Sequence, residues 1–283
     1  MKKTQKEYIN NIIRGIGKRL SGSTRLQNKK AGLTWLKEKQ LKHMPYNEPH
    51  VYILNGKKIH YNNGPEILHS LKEIFVEEVY LTHFDTNTPK ILDCGANIGL
   101  SVLYFKSKYP GANIIAFEPD PMNFTLLKKN IEGNNLHDVE LRNEAVWKDN
   151  TTIEFVSDGT LGSKIGSTTS GSNVIRMNAT RLRDYLDDKI DFLKLDIEGA
   201  EYEVLKDCKD KLGSIQYLFI EFHGFFDRMY ELTDIFSMVQ ENGFSYYIKE
   251  ATNVYPTPFY RNQNKPPYDL QLNVFCIKNM AKK

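Results

Sequence analysis

The chain has 283 residues, of which 40% are hydrophobic and 12% aromatic, and its formal net charge is +3. This apolar content is enough for a full core, so global disorder is excluded, and the length accommodates one large α/β domain with an extension. The three cysteines (Cys94, Cys208 and Cys276) have no paired spacing and no histidine cluster nearby. They predict reduced, buried thiols rather than a disulfide framework or a zinc site.

No apolar run approaches the roughly 18 residues that a membrane span needs. The N-terminal stretch is basic but has no continuous apolar core before a cleavage site, so a secretory signal is not expected. The sequence therefore predicts a cytoplasmic protein. Residues 1–42 carry twelve Lys or Arg and two acidic residues, whereas the rest of the chain has a balance of −7. This basic arm either is a solvated helix or binds an anionic partner, such as a membrane surface, a phosphorylated lipid carrier or nucleic acid.

Residues 1–62 are predicted to form an extension that precedes the main domain at 63–283. Within the extension, residues 5–20 repeat apolar side chains at helical spacing, with the cations largely off that stripe, which predicts an amphipathic helix. One interpretation is a peripheral contact with the inner face of a membrane that carries a lipid-linked acceptor. The other is packing of the stripe on the catalytic domain or on a second subunit, and both remain open.

A linker is expected at residues 21–32, followed by two β-rich runs within 51–61. The runs flank Asn55-Gly56, a strong hairpin signal. A helix is expected next, since Pro65 suits a first helical turn. One face of this helix is predicted to be apolar and consists of Ile67, Leu71, Ile74, Phe75 and Val79.

From residue 90, apolar strands alternate with amphipathic helices, which is typical of βαβ units and a parallel sheet buried on both faces. The five predicted parallel strands lie within 90–95, 113–118, 137–146, 190–197 and 215–224. Two further strands, at 244–251 and 270–278, are joined without a helix and are expected to pair antiparallel. This α/β arrangement, mostly parallel with a C-terminal antiparallel hairpin, resembles the Rossmann-like sheet of class I S-adenosylmethionine (SAM)-dependent methyltransferases.

An antiparallel excursion is predicted between the third and fourth parallel strands. Its two strands lie at residues 153–157 and 173–179. The segment between them is rich in Ser, Thr and Gly, which is typical of a surface loop. A long loop beside an active site is often a lid, so that function stays open as well.

The turn after the first parallel strand contains Asp93, Gly95 and Gly99. Gly95 allows a sharp turn and close approach of the backbone to a ligand, and Gly99 permits tight helix–strand packing. A nicotinamide dinucleotide site needs a second glycine where Asn97 stands, because its pyrophosphate approaches the backbone. The turn therefore favours SAM, with Asp93 at the amino group of the methionine moiety and Ala96 and Asn97 beside it.

The second parallel strand ends in Glu118-Pro119, nineteen residues after Gly99. A carboxylate at this position can accept hydrogen bonds from both hydroxyls of a ribose. In class I methyltransferases the turn at the end of the third strand holds the adenine, so the resemblance implies that Glu144 accepts from the adenine amine and that Ala145 or Val146 packs on the ring. The alternative for Glu144 is a solvent-exposed acid at a strand end, and both interpretations remain open.

Ionisable residues follow the fourth and fifth parallel strands, which end in LKLDIEGAE and FIEFHG. Strand alternation places members of each set on a common face of their strand, and the carboxyl ends of parallel strands meet where ligands bind. Ionisable groups are costly to bury there unless they are paired or catalytic. The predicted chemical site consists of Lys194, Asp196, Glu198, Glu221 and His223.

Three explanations of this cluster remain open. Asp196 or His223 acts as a general base for a substrate hydroxyl. Alternatively, the three carboxylates and the histidine bind a hard divalent cation such as Mg²⁺, which lowers the pKa of the hydroxyl. In the third, the cluster is an electrostatic frame in which Lys194 pairs with Glu201 and Asp196 faces the sulfonium. The KPPY sequence at 265–268 is interpreted as turn chemistry only.

The motifs DCGANIG, FEPDP and KLDIEGAE, together with EIFVEEVY, NEAVW and IEFH, resemble the FkbM family of methyltransferases over about residues 73–221. The resemblance implies SAM-dependent O-methylation, commonly of sugar or polyketide hydroxyls. It assigns the cofactor to Asp93, Gly95, Gly99 and Glu118, with Tyr80 at the methionine end and Asp196 next to the transferred methyl group. Arg181 and Arg183 depart from the family's pattern, which favours a phosphorylated or acidic acceptor.

Three other classes of protein fit the sequence less well. A nicotinamide-dependent oxidoreductase on a related fold conflicts with Asn97 and with the closing hairpin. A non-catalytic SAM-binding scaffold has no need of the ionisable cluster. A nucleic-acid methyltransferase is not expected, because the basic excess lies more than 50 residues before the cofactor motif. The sequence leaves the oligomeric state open.

Overall fold

The computed structural model describes residues 31–46, 48–156, 174–261 and 266–279. The chain divides into two compact units, the first running to Thr82 with Glu132–Asn135 added, and the second comprising the remainder from His83 onward. The helix predicted at 5–20, most of the linker and the Ser/Gly-rich loop lie outside the described residues. Within the part of the chain that is described, no helix is both long and apolar enough to cross a membrane.

The first unit contains short helices and a β-hairpin. Its elements are α1 (Trp35–Lys42), β1 (His50–Leu54), β2 (Lys57–Tyr61) and α2 (Gly64–Ser70), and α2 continues as a wider π-type turn over Leu71–Val76. The predicted hairpin is confirmed, since β1 pairs antiparallel with β2 and both Asn55 and Gly56 have the positive φ that a tight hairpin turn requires. The predicted helix is also confirmed, but Val79 lies beyond its end.

The second unit is built around a seven-stranded sheet. The strands of this unit, which belong to the large sheet or to a smaller three-stranded one, are β3 (Lys90–Cys94), β4 (Asn113–Phe117), β5 (Val139–Arg142), β6 (Ala145–Trp147), β7 (Thr151–Val156), β8 (Val174–Arg181), β9 (Ile190–Leu195), β10 (Ile215–Gly224), β11 (Phe244–Thr252) and β12 (Leu270–Lys278). The order across the large sheet is β11-β12-β10-β9-β3-β4-β5. The five strands from β10 to β5 are parallel, and β12 is antiparallel to both of its neighbours, as the sequence predicted.

Helices link the parallel strands. They are α3 (Leu100–Lys108), α4 (Pro121–Gly133), α5 (Glu201–Asp207) and α6 (Tyr230–Glu241). The main core joins β9 and β10 to α5 and α6 through fully buried apolar side chains such as Leu193, Val204 and Ile235. The three cysteines are free and buried in this unit, which confirms the prediction made for them. The density of apolar packing fixes the carboxyl ends of the central strands against one another.

The prediction of one continuous third strand at 137–146 was wrong. The chain forms β5, bends, and then forms β6, which leaves the large sheet and joins a small sheet of order β6-β8-β7. The bend is held by Asn143, whose amide donates to the carbonyl of Glu118 at 2.8 Å and to that of Pro119 at 3.1 Å. The predicted antiparallel excursion is confirmed by the pairing of β7 with β8.

The direction of chain travel across the large sheet reverses between β3 and β9. From β3 the chain proceeds to β4 and β5 on one side, and β9 and β10 follow on the other side. In open α/β sheets, ligands bind outside the carboxyl ends of the strands at such a switch point. The residues that follow β3, β9 and β10 therefore define the region in which to look for a site.

Candidate active site

The turn after β3 depends on glycine at two positions. Gly95 has a φ of 91°, and a Cβ built there would lie 1.9 Å from the backbone oxygen of Asp196. Gly99, with a φ of 89°, would place a Cβ 2.6 Å from Cδ1 of Leu127. Asn97, between them, also has a positive φ of 49°. The turn thus combines left-handed backbone with contacts too close for a side chain. At Gly95 the close neighbour is the backbone of Asp196, and the approach of the turn to a ligand stays a prediction.

Asp93 lies beneath this turn and is fully buried. Its carboxylate accepts a hydrogen bond from the hydroxyl of Ser101 in the first turn of α3, and its Oδ1 lies 3.6 Å from Nζ of Lys194. Burial raises the pKa of Asp93, while Lys194 and Ser101 act in the opposite direction. The contacts of this carboxylate are thus internal, and they support the turn from below.

Glu118 is held at the end of β4 by two backbone donors. Its Oε2 accepts from the N–H of Asn97 at 2.8 Å and its Oε1 from the N–H of Asp120 at 2.9 Å. Burial raises the pKa of Glu118 to about 7, and these two hydrogen bonds only partly oppose the shift. The side chain is therefore pre-oriented next to the glycine turn, with lone pairs remaining on both oxygens.

The other residues predicted to hold the cofactor are distributed over both units. Ala96 is buried within the turn, and Pro119 is partly buried after β4. Glu144 is partly exposed at the bend between β5 and β6, and Ala145 packs in a small apolar cluster with Ile153, Met177 and Ala179. Tyr80 is buried in the first unit.

Lys194 connects the turn to the cluster of acids. It faces Asp93 across the β3–β9 pairing and is buried. Its Nζ donates to the carbonyl of Gly95 at 2.7 Å and to Oδ2 of Asp196 at 3.1 Å. Lys194 therefore interacts with both Asp93 and Asp196, whereas the electrostatic interpretation of the sequence paired it with Glu201. That pairing was wrong because Glu201 is held by a different partner.

The partner of Glu201 is His223. The Nδ1 of His223 lies 3.1 Å from Oε1 of Glu201, and the two side chains are only 2% and 1% exposed. The same Glu201 oxygen accepts from the backbone N–H groups of Ile197 and Gly199, each at 3.1 Å. The pair thus forms a buried contact between the end of β10 and the first turn of α5, which the sequence did not predict.

The charge of His223 in this pair determines whether it can act as the predicted general base. Burial alone would lower the pKa of His223, but the negative charges of Glu201, Glu198 and Asp196 outweigh it and raise the pKa to about 10. An imidazole that is protonated at neutral pH cannot accept a proton from a substrate. Of the two candidate bases, the electrostatics therefore favour Asp196.

Tyr268, which was predicted to be part of a turn only, packs against the ring of His223. Tyr268 precedes β12, its ring centroid lies 4.6 Å from that of His223, and its hydroxyl lies 3.0 Å from both the carbonyl oxygen and Oε2 of Glu198. Glu198 adopts a positive φ of 57° and Gly199 one of 98°. Residues at positive φ cluster at functional sites. The sequence signal for Tyr268 was an aromatic residue two positions before the closing strand, but its contact with Glu198 depends on long-range pairing.

Three of the predicted chemical residues come within reach of a common point. Asp196, Glu221 and His223 each offer a ligand atom, and these atoms lie within 4.8 Å of one another. Glu198 lies at the rim, with its side chain 53% exposed and its Oε2 3.6 Å from Nε2 of His223. The structure thus brings together the cluster that the sequence predicted, directly beside the glycine turn.

Arg181 and Arg183 do not belong to this site. Arg181 makes two hydrogen bonds to the carboxylate of Asp207, and Arg183 does the same with Asp210. Both acids lie at or beyond the C-terminal end of α5, whereas the site lies at its N-terminal end. The expectation that these arginines select an acidic or phosphorylated acceptor was therefore wrong.

The sheet order, the glycine turn and the acid after β4 define a class I SAM-dependent methyltransferase. The family model described as the methyltransferase FkbM domain matches residues 93–246. Since this match covers more than half of the chain, the protein belongs to the FkbM family of methyltransferases, and its cofactor is SAM.

Individual relatives and one solved structure are similar to parts of the chain. The chain is 28% identical to "Methyltransferase 1" of Beauveria bassiana over 171 residues, which are 52% of this chain and 68% of the relative. It is 36% identical to the "31-O-demethyl-FK506 methyltransferase FkbM" of Streptomyces tacrolimicus over 78 residues, which are 27% of this chain and 30% of the relative. The solved structure of methyltransferase FkbM from Methylobacillus flagellatus aligns with a TM-score of 0.46 and 20% identity, covering 69% of this chain and 45% of that chain.

Proposed function

We propose that this protein is an O-methyltransferase that transfers the methyl group of SAM to a hydroxyl of a sugar or natural-product acceptor. The observation that carries the proposal is the position of Asp196. Its backbone oxygen lies against Gly95 in the glycine turn, and its carboxylate shares Lys194 with the carbonyl of that same glycine. A carboxylate thus lies immediately beside the glycine turn to which this proposal assigns the cofactor.

The residues present fit SAM. Gly95 and Gly99 keep side chains out of the turn, and Glu118 is oriented by two backbone N–H groups with lone pairs remaining for a ribose diol. In this proposal Asp93 is a positioning residue, since its carboxylate contacts Ser101 and Lys194 inside the protein. When bound, SAM supplies an electrophilic methyl group on a sulfonium.

The chain's own residues then serve the acceptor. A hydroxyl nucleophile must lose its proton during methyl transfer. We assign proton acceptance to Asp196, because the pKa of His223 is raised too far for it to act as a base at neutral pH. The name of the relative from Streptomyces tacrolimicus, a 31-O-demethyl-FK506 methyltransferase, supports a hydroxyl on a natural product as the acceptor class.

The experiment is transfer of labelled methyl groups from SAM to extracts of glycans, lipids and small metabolites from the host. We expect labelled products that are methyl ethers, identified by mass spectrometry. Asp196→Asn should lower turnover by about 10²-fold or more while SAM affinity stays within a few-fold, as for a lost proton acceptor.

Asp188→Asn is the matched control for this substitution. Asp188 is exposed and pairs with Lys90. It precedes β9 and so lies at the opposite end of the strands from the site. It should leave both turnover and SAM affinity unchanged. Label transferred to nitrogen or carbon would contradict the O-methyl assignment, and full turnover in Asp196→Asn would contradict the role of Asp196.

A further inference from the structure

The ends of β9 and β10 bring together two carboxylates and an imidazole whose outer contacts resemble those of a metal ligand. We propose that Asp196, Glu221 and His223 bind a divalent cation of the Mg²⁺ or Mn²⁺ type at the acceptor side of the cofactor turn. The chemical role of this cation rests on the proposed O-methyl transfer, but its binding does not.

The spacing of the three side chains suits one ion. Their ligand atoms lie within 4.8 Å of one another. Around a cation whose ligands lie at roughly 2.0–2.3 Å, pairs of ligand atoms are about 3–4.5 Å apart, so small side-chain adjustments close this set around an ion. The cluster is also not a set of solvated surface acids, since the side chains of Asp196 and Glu221 are 24% and 19% exposed and that of His223 is buried.

The orientation of His223 is the second, independent observation. Its Nδ1 is engaged by Glu201, and Glu201 is itself fixed by the backbone N–H groups of Ile197 and Gly199. Histidines that bind metals usually donate their other ring N–H to a carboxylate in this way, which fixes the ring and directs the remaining nitrogen at the ion. Here that nitrogen is Nε2.

Nε2 of His223 faces carboxylates at distances longer than hydrogen bonds. It lies 3.6 Å from Oε2 of Glu198 and 3.8 Å from Oε1 of Glu221. N–H···O hydrogen bonds normally measure about 2.7–3.2 Å. A nitrogen surrounded by oxygens at such separations leaves room for an ion between them, and a bound ion displaces the Nε2 proton into solvent.

The balance of charge favours a cation as well. Asp196, Glu198 and Glu221 surround His223, whose imidazolium charge is already paired with Glu201. The ammonium of Lys194 is likewise shared between Asp93, Asp196 and the Gly95 carbonyl, so the carboxylates outnumber the positive charges. Partly buried carboxylates in such excess are costly unless a positive charge compensates them. Glu198, at the rim beside Tyr268, leaves the outer side of the ion for the acceptor.

A cation at this point would help the Asp196 carboxylate to accept the proton of a substrate hydroxyl. Carboxylates are weak bases, whereas an alcohol is barely acidic, and coordination to a divalent ion lowers the pKa of a bound hydroxyl by several units. The hydroxyl proton then passes to a carboxylate oxygen that the ion does not occupy. The proposal thus explains why Glu221 and His223 accompany Asp196.

The test is direct binding of Mn²⁺ to the full-length, metal-free protein, followed by electron paramagnetic resonance. We expect one Mn²⁺ per chain, with nitrogen coupling in pulsed spectra that changes when histidine is labelled with ¹⁵N. Glu221→Gln should weaken Mn²⁺ affinity by about tenfold or more, the usual effect of altering a metal site. Glu140→Gln, an exposed acid on β5 that pairs with Arg142, should leave the affinity unchanged.

Absence of binding at millimolar Mn²⁺, binding without histidine coupling, or equal affinity in Glu221→Gln and the wild type would each overturn the cation site. SAM binding is measured in parallel in the presence of a chelator. If SAM binds and Mn²⁺ does not, only the cation site fails. If Mn²⁺ binds and no methyl ether forms with the metal restored, the O-methyl proposal fails and the cation site stands.

Discussion

The two halves of the candidate active site lie after neighbouring strands, but they are built in different ways. After β3, the backbone determines the geometry, because Gly95 and Gly99 adopt left-handed φ and leave no room for a Cβ. After β9 and β10, side chains determine it, because His223, Glu201 and Lys194 are fixed by hydrogen bonds and ion pairs. Substitutions in the first half should therefore act through shape, and those in the second half through charge.

The largest effect is expected from Gly95→Ala. The new Cβ would meet the Asp196 backbone oxygen at 1.9 Å in a residue with a φ of 91°. Left-handed φ costs a residue with a side chain about 1–3 kcal/mol, and overpacking adds about 1–3 kcal/mol more, so the free energy of unfolding should fall by about 2–6 kcal/mol. SAM binding should be lost. Urea denaturation and calorimetry measure the two effects.

Gly243→Ala is the matched control for this comparison. Gly243 lies in the same unit with a φ of 78°, but its nearest neighbours to a built Cβ are side-chain atoms of Lys278 at 3.8 Å and 3.9 Å. This variant should show only the cost of the backbone conformation and should retain SAM binding. Equal losses in the two variants would show that close contact with Asp196 is not what requires glycine.

The sequence predicted the backbone half better than the side-chain half. Asp93, Gly95, Gly99 and Glu118 lie in short motifs, since a left-handed turn and a strand end are local features. The pairing of His223 with Glu201 joins a strand to a helix across 22 residues of sequence, and alternation along a strand does not specify a partner on another element. For the same reason, the spacing along the chain predicted an ion pair between Lys194 and Glu201, whereas the structure pairs Lys194 with Asp93 and Asp196.

Two further features were not predicted from the sequence because they depend on the topology of the fold. The third strand was predicted as one element at 137–146, and its division into β5 and β6 depends on the Asn143 amide, which donates to the carbonyls of Glu118 and Pro119. Tyr268 read as part of a turn, and its contact with Glu198 depends on the antiparallel return of β12 beside β10. In both cases hydrogen bonds between distant segments override the local pattern.

Glu118→Gln tests the side chain that the proposal assigns to the ribose of SAM. The amide keeps the shape but loses the charge that accepts from a ribose diol, so SAM affinity should weaken by about 1–3 kcal/mol. Calorimetric titration with SAM measures this change. Glu140→Gln, on the neighbouring strand β5, serves as the control and should bind SAM as the wild type does. Unchanged affinity in Glu118→Gln would remove Glu118 from the cofactor site.

The pH dependence of SAM binding should identify the same carboxylate. Burial raises the pKa of Glu118 to about 7, and the ionised form accepts hydrogen bonds from hydroxyls better than the protonated form. SAM affinity should therefore fall by about tenfold between pH 8 and pH 6, and the fall should be smaller in Glu118→Gln. A profile identical in wild type and variant would assign the titration to another group.

Stability should respond to pH in the opposite sense. Because the pKa of Glu118 is raised on folding, the ligand-free folded state favours the protonated carboxyl. The contribution of this group to the free energy of unfolding is fully present below the ordinary pKa of glutamate and is lost as the pH rises through about 7. Urea denaturation of the ligand-free wild type and of Glu118→Gln across this range should show the difference.

The smallest effect is expected in the side-chain half, from Tyr268→Phe. The substitution keeps the ring that packs on His223 but removes the hydroxyl that contacts Glu198 at 3.0 Å. Loss of one such hydrogen bond costs about 0.5–1.5 kcal/mol, so kcat should fall by no more than about tenfold.

Because Tyr268 contacts the acid cluster and not the glycine turn, SAM affinity should stay unchanged. Tyr255→Phe removes a hydroxyl that donates to Asp269 at 2.7 Å in the same connecting segment, and it should alter neither quantity. A loss of SAM affinity in Tyr268→Phe would mean that the two halves of the site are coupled, and the contrast between a backbone-built half and a side-chain-built half would have to be abandoned.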